Sequence, residues 1–147
     1  MVGSDERHHF ESSFPNLKNT FFEIISPPDK NYNCVAWAMG INDGIWWPDR
    51  YNQYYWPDPK RENTMEGFIR AFQSLGFEVT KSRIVEDDYE KIAIYGNEFG
   101  PHHVARQLPD GKWTSKCGDE EDIIHELNGL EDSISYGQVI IVMKKHR

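Results

Sequence analysis

Cysteine and histidine are the residue types in this chain best suited to nucleophilic chemistry. The most suggestive cysteine lies in Asn31-Tyr32-Asn33-Cys34-Val35-Ala36-Trp37-Ala38-Met39-Gly40. Asn33 is a good N-cap, since its side-chain oxygen can accept an orphan amide of a first helical turn. Gly40 is a natural stop, because glycine adopts the left-handed conformation that closes helices. Cys34 therefore falls at the start of a short helix, where the helix dipole favours thiolate. An unperturbed cysteine is only about 3% thiolate at neutral pH, so it needs a base. His103 is the candidate. A third polar group would fix its ring and tautomer, and Gln107 and Ser115 can serve. An oxyanion could be held by the Cys34 amide together with the side chain of Asn31 or Asn33.

The strand bearing His103 decides which partners it meets. His102–Leu108 and Lys112–Cys117 flank Pro109-Asp110-Gly111, a strong turn signal. Period 2 puts His103, Ala105 and Gln107 on one face and His102, Val104, Arg106 and Leu108 on the other. A three-residue turn with Gly111 left-handed pairs Leu108 with Lys112 and gives Trp113, Ser115 and Cys117 the His103 face. A two-residue Asp110-Gly111 turn would put Thr114 and Lys116 there instead.

Simpler roles compete for each of these residues. A buried cysteine is usually a small hydrophobe, His103 can be a satisfied core histidine, and capping alone accounts for Asn33. His102 and Arg106 read as surface groups, and His125 as the outward side of a helix. Trp37, Trp46, Trp47 and Trp56 serve either a core or a substrate groove. A zinc site from His102, His103, Cys117 and His125 is not expected, because adjacent strand residues point opposite ways and no paired-ligand spacing is present. No metal or other cofactor is expected.

The elements around these residues are legible from pattern. At 147 residues, with 38% apolar and 14% aromatic content, the chain suits one domain. Residues 1–13 read as a flexible polar arm and 14–147 as the domain. Phe21–Ile25 is β-rich. Ile41–Asn63 is a long irregular segment in which Pro48, Pro57 and Pro59 forbid a helix; its aromatics suggest order. Phe68, Ile69, Phe72 and Leu75 recur at helical spacing, with Asn63 as the expected cap and Gly76 as the stop. Strands follow at Phe77–Lys81 and Lys91–Tyr95, then the hairpin, a short amphipathic helix over Asp119–Leu130, and a central last strand over Gly137–Met143. This order is α+β, with helices on a mostly antiparallel sheet.

Charge narrows the partners. Sixteen Lys and Arg against 24 Asp and Glu leave a formal charge of −8, which argues against nucleic acid or an anionic membrane as the main partner. No apolar run approaches the roughly 20 residues that span a bilayer. Met1–Ser13 lacks the apolar core of a signal peptide, so a cytoplasmic location is expected. Two cysteines make no disulfide framework. The sequence leaves the oligomeric state open.

Several segments together resemble an uncharacterised bacterial domain family. They are Asn33-Cys34-Val35-Ala36-Trp37-Ala38, Trp46-Trp47-Pro48, His103-Val104-Ala105-Arg106-Gln107, Asp110-Gly111-Lys112-Trp113-Thr114-Ser115-Lys116 and Tyr136-Gly137. The layout, spread over about residues 15–145, is also similar to NlpC-type and papain-like cysteine hydrolases. Those proteins pack a nucleophile-bearing helix on an antiparallel sheet whose later strand carries the histidine. The resemblance implies Cys34 as nucleophile, His103 as base and Ser115, with Gln107 as fallback, as third member. The chain departs from characterised members in having no obvious His, Asp or Asn at that third position. The expected function is a thiol hydrolase acting on a peptide-like or amide-containing substrate. The alternative is an inactive papain-like module whose aromatic groove binds a peptide or glycan.

Overall fold

The computed structural model describes residues 4–117 and 120–147. Seven strands form one sheet: β1 (Phe22–Ile24), β2 (Glu78–Thr80), β3 (Tyr89–Asn97), β4 (Gly100–Gln107), β5 (Trp113–Lys116), β6 (Asp122–His125) and β7 (Gln138–His146). Their order is β1-β6-β5-β4-β3-β7-β2, and every neighbouring pair is antiparallel. The expected α+β class with an antiparallel sheet is what the chain adopts. The last strand, expected at the centre, lies one strand in from the edge, while β4 with His103 holds the middle.

Both faces of the sheet are covered. On one, α2 (Cys34–Ala38) and α3 (Met65–Ser74) bury Val35, Ala38, Phe68 and Phe72 against Ile92, Ile94, Val104 and Met143. On the other, α1 (Ser4–Ser13) and two 3-10 turns, Pro15–Lys18 and Leu127–Leu130, bury Phe10, Leu17 and Leu130 against Ala93, Tyr95, Ala105 and Ile123. This explains why Ile92–Tyr95 is apolar throughout rather than alternating.

Three expectations are corrected here. Residues 4–13 form a helix, not an arm: Phe10 is its one large apolar side chain, too little for a periodic signal, yet it is 1% exposed. Residues 1–3 lie outside the described residues. The cap of α3 is Thr64 rather than Asn63; its hydroxyl accepts the Gly67 amide at 3.0 Å. The expected helix over 119–130 is instead β6 followed by a 3-10 turn. Residue 119 lies outside the described residues.

The 41–63 segment is irregular yet anchored. The Arg61 guanidinium donates to the Trp47 carbonyl at 3.0 Å, the Asp49 carbonyl at 2.8 Å and the Asp49 carboxylate at 2.7 Å. With a further bond to the Tyr54 carbonyl at 2.5 Å, one planar fork ties residues 47, 49 and 54 of the loop together.

Candidate active site

The turn after β4 is the three-residue form. Gly111 has φ +94° and its amide donates to the Leu108 carbonyl at 2.9 Å, while the Leu108 amide donates to Lys112 at 2.7 Å. The hairpin then runs Gln107 opposite Trp113 and Arg106 opposite Thr114, where the β4–β5 ladder stops. β5 stays paired with β6 along its whole length. α2 packs against both β4 and β5. This register gives Ser115 the face of His103, and the two meet: His103 Nε2 lies 2.8 Å from Ser115 Oγ.

The chain of contacts continues to a residue the sequence reading missed. Ser115 Oγ lies 2.7 Å from His125 Nε2, and His125 Nδ1 lies 2.7 Å from the Glu126 carbonyl. Burial holds the pKa of His125 down at about 4 and that of His103 well below its usual value, so both rings are neutral at pH 7. The directions of the bonds follow. A carbonyl only accepts, so His125 carries its proton on Nδ1 and accepts at Nε2. Ser115 donates there, and its oxygen accepts from Nε2–H of His103. His103 Nδ1 is consequently a bare lone pair, buried and with no hydrogen-bond partner among the described residues.

His125 escaped notice because Ile123, Ile124, Leu127 and Leu130 fit helical spacing. The adjacent β-branched pair Ile123-Ile124 was the available strand signal. Tyr136 was also missed as a site residue; its ring stacks on His103, with centroids 4.1 Å apart and planes 6° from parallel.

Cys34 begins α2, capped by Asn33 as the sequence suggests: Asn33 Oδ1 accepts the Ala36 amide at 3.1 Å. The approach to the thiol is fixed by Tyr32, whose hydroxyl donates to the Asp122 carboxylate on β6 at 2.5 Å. The Val104, Val35 and Cys34 amides favour the thiolate, but among the described residues no hydrogen bond joins the thiol to His103: Cys34 packs with Val104 on the α2 face of the sheet, and His103 stacks on Tyr136 on the α1 face. The pull of the amides toward thiolate is outweighed by burial, which pushes the Cys34 pKa up to about 11. The expected dipole-favoured thiolate is therefore not the resting form. A five-residue helix has little dipole, and Cys34 is only 9% exposed.

The remaining expected residues are dispersed. Gln107 donates to the Arg83 carbonyl at 3.0 Å, away from the imidazoles. Asn33 is also tied to the aromatic loop, donating to the Trp46 carbonyl at 2.8 Å and accepting its amide at 3.1 Å. Asn31 is exposed, its amide bonded to Asp29. Trp37 donates to Thr114 Oγ1 at 3.1 Å and packs on Tyr32. Trp47 and Trp56 pack on Phe68, with centroids 5.5 and 4.9 Å away, as core residues. Of these four tryptophans, Trp46 lines a well-formed cavity. None of five well-formed cavities is lined by Cys34 or His103; one of about 160 Å³ reaches Cys117 and Tyr136. Among the described residues, no group of three His, Cys, Asp or Glu side chains is placed to hold a metal ion, and no helix is long and apolar enough to cross a membrane.

Residues 23–144 match the model of a family described as a domain of unknown function, DUF7689. The chain belongs to this family. No curated protein and no solved structure matches it. The matched span of the DUF7689 domain includes Cys34, His103, Ser115, His125 and Tyr136, but α1 lies before it.

Proposed function

We propose that this DUF7689 domain is a thiol hydrolase acting on amide bonds, with a papain-like or NlpC-type arrangement of its reacting groups. Cys34 is the nucleophile and His103 the base; Ser115 and His125 are positioning residues. The observation that carries this reading is the bare Nδ1 of His103. A buried imidazole whose Nε2–H is committed to Ser115, and whose other nitrogen has no partner, is prepared to accept a proton. The Cys34 thiol at the start of α2 is the group to supply one, once it and His103, which are not hydrogen-bonded at rest, are brought together.

Because both groups rest neutral, attack and proton transfer occur together. Sγ bonds to the substrate carbonyl carbon as the S–H proton passes to Nδ1 of His103. The amide C–N bond then breaks, and His103 returns that proton to the leaving amine. Water, losing its proton to His103, attacks the thioester; the C–S bond breaks and His103 returns that proton to Sγ. The oxyanion would be held by the Cys34 amide, since Asn33 is engaged with Ala36 and Trp46. Substrate access requires the cover over this pair to move.

A second reading, an inactive module that binds a peptide or glycan, is favoured by that cover: Cys34 is 9% and His103 1% exposed.

The two separate on acylation by p-nitrophenyl acetate, followed by mass spectrometry. The hydrolase reading expects an acetyl group on Cys34, lost in Cys34→Ser and formed at least about 10²-fold more slowly in His103→Ala. Equal rates with and without His103 would overturn it.

A further inference from the structure

We propose that the cavity between the C-terminal end of α2 and strands β3, β4 and β7 binds a carboxylate attached to an apolar body, with Arg106 gripping the carboxylate. The cavity, of about 230 Å³, is floored by Ala38, Met39, Leu75, Phe77 and Ile92 and closed on one side by Trp46. Neither Cys34 nor His103 lines it, so the proposal stands independently of the hydrolase reading. Its size is below the roughly 300–1,000 Å³ of sites for drug-sized ligands, which suits a fragment-sized acid or the end of a longer chain.

Charge points to an anion. The chain carries a formal charge of −8, yet Arg106 and Lys145 both face this cavity, and Arg106 also borders a second cavity with Arg147. Among the described residues, neither Arg106 nor Lys145 has a salt bridge within 4 Å. Lys91 also lines the wall, but its ammonium is taken by Glu86, 2.5 Å away, and by the Ser82 and Ile84 carbonyls. Glu90 is the single acidic group lining the cavity.

Arg106 itself is unusual. The sequence reading made it a surface group. Instead it is half-buried: its guanidinium lies over Trp37 at 5.5 Å and lines the cavity, and burial lowers its hold on its proton. A half-buried guanidinium without a counter-ion among the described residues is a ready anion site, and a carboxylate presents two oxygens that can pair with its fork. The apolar floor then selects acids with an aryl or alkyl body over small inorganic anions. The same chemistry is offered by a free arylalkanoic acid and by the C-terminus of a peptide ending in an apolar residue.

The test is NMR titration of the whole chain with 3-phenylpropionate, 3-phenylpropanamide, N-acetyl-Ala-Phe and its C-terminal amide. Both acids are expected to shift the Ile92 and Trp46 resonances, with each amide weaker by about tenfold or more. Arg106→Gln should remove this preference for acids, and Glu90→Gln should strengthen acid binding. Tighter binding of N-acetyl-Ala-Phe than of 3-phenylpropionate assigns the site to peptide C-termini; the reverse order assigns it to free acids. The proposal is overturned if acid and amide bind wild-type protein equally, or if neither binds at millimolar concentration. The amide controls use wild-type protein, so this holds even if Arg106→Gln fails to fold.

Discussion

Ser115 donates its hydroxyl proton to Nε2 of His125 across 2.7 Å, and that single direction sets the state of the site. With its proton committed, the Ser115 oxygen can only accept from His103. The His103 lone pair is therefore placed on Nδ1 by a backbone carbonyl two side chains away, that of Glu126. A serine alone could turn either way; the second histidine removes the choice.

Imidazole nitrogen NMR checks this directly. His103 is expected as the Nε2–H tautomer and His125 as the Nδ1–H tautomer at pH 7. Ser115→Ala should leave His103 as a mixture of tautomers and destabilise the fold by about 1–3 kcal/mol, since buried partners lose their bonds. Observation of Nδ1–H on His103 in the wild type would remove the basis for its role as base.

Acid should weaken the protein earlier than its carboxylates predict. The folded-state pKa values of His103 and His125 are depressed, so the folded form binds fewer protons than the unfolded form below the ordinary histidine range. The stability these two neutral rings contribute is present above about pH 6.5 and is lost as pH falls; for His125 the loss runs down to about 4. Urea unfolding between pH 7 and 4.5 should show the decline, and His125→Asn should flatten part of it. An unchanged slope in that variant would mean that His125 does not titrate as placed.

Reaction of the thiol should separate two routes. Direct thiolate attack follows the raised Cys34 pKa, so its rate climbs about tenfold per pH unit toward 11. Base-assisted attack through neutral His103 needs no free thiolate, and its rate is level through neutral pH. Acetylation of Cys34 in wild type is expected to be level from pH 6.5 to 8, and in His103→Ala to climb. Parallel climbing curves in both would show that the histidine is not used.

The sequence made much of this legible, for physical reasons that differ by element. The Asn33 cap and the Pro109-Asp110-Gly111 turn are local: each is specified by residues within a few positions, and each formed as its chemistry requires. The face shared by His103 and Ser115 followed once the turn type was known. His125 was not legible because four residues have too little length to distinguish period 2 from period 3.6, and its apolar neighbours satisfied both. The ionisation of Cys34 was misjudged for another reason. Dipole and capping are written in local sequence, whereas desolvation depends on α2 being pressed between β4, β5 and the aromatic loop, which is tertiary. Tyr136 reaches His103 through the same kind of long-range packing.

Asn33 offers the clearest single test of how the thiol is held. Its oxygen accepts from Ala36 and Trp46, and its amide donates to the Trp46 carbonyl, so one side chain caps α2 and fastens the loop to it. Asn33→Ala removes all three bonds and should cost about 2–3 kcal/mol, counting the cap and the stranded Trp46 groups. Asn33→Asp keeps the acceptor but cannot donate, so it should retain the cap, lose the bond to the Trp46 carbonyl and cost less. Thermal unfolding ranks the three proteins as wild type, Asn33→Asp, then Asn33→Ala. Amide exchange at both Ala36 and Trp46, which share the Asn33 oxygen, should quicken in Asn33→Ala and stay near wild type in Asn33→Asp, which keeps that acceptor. Equal exchange at Trp46 in wild type and Asn33→Ala would show that the Arg61 fork, rather than Asn33, holds the loop against α2.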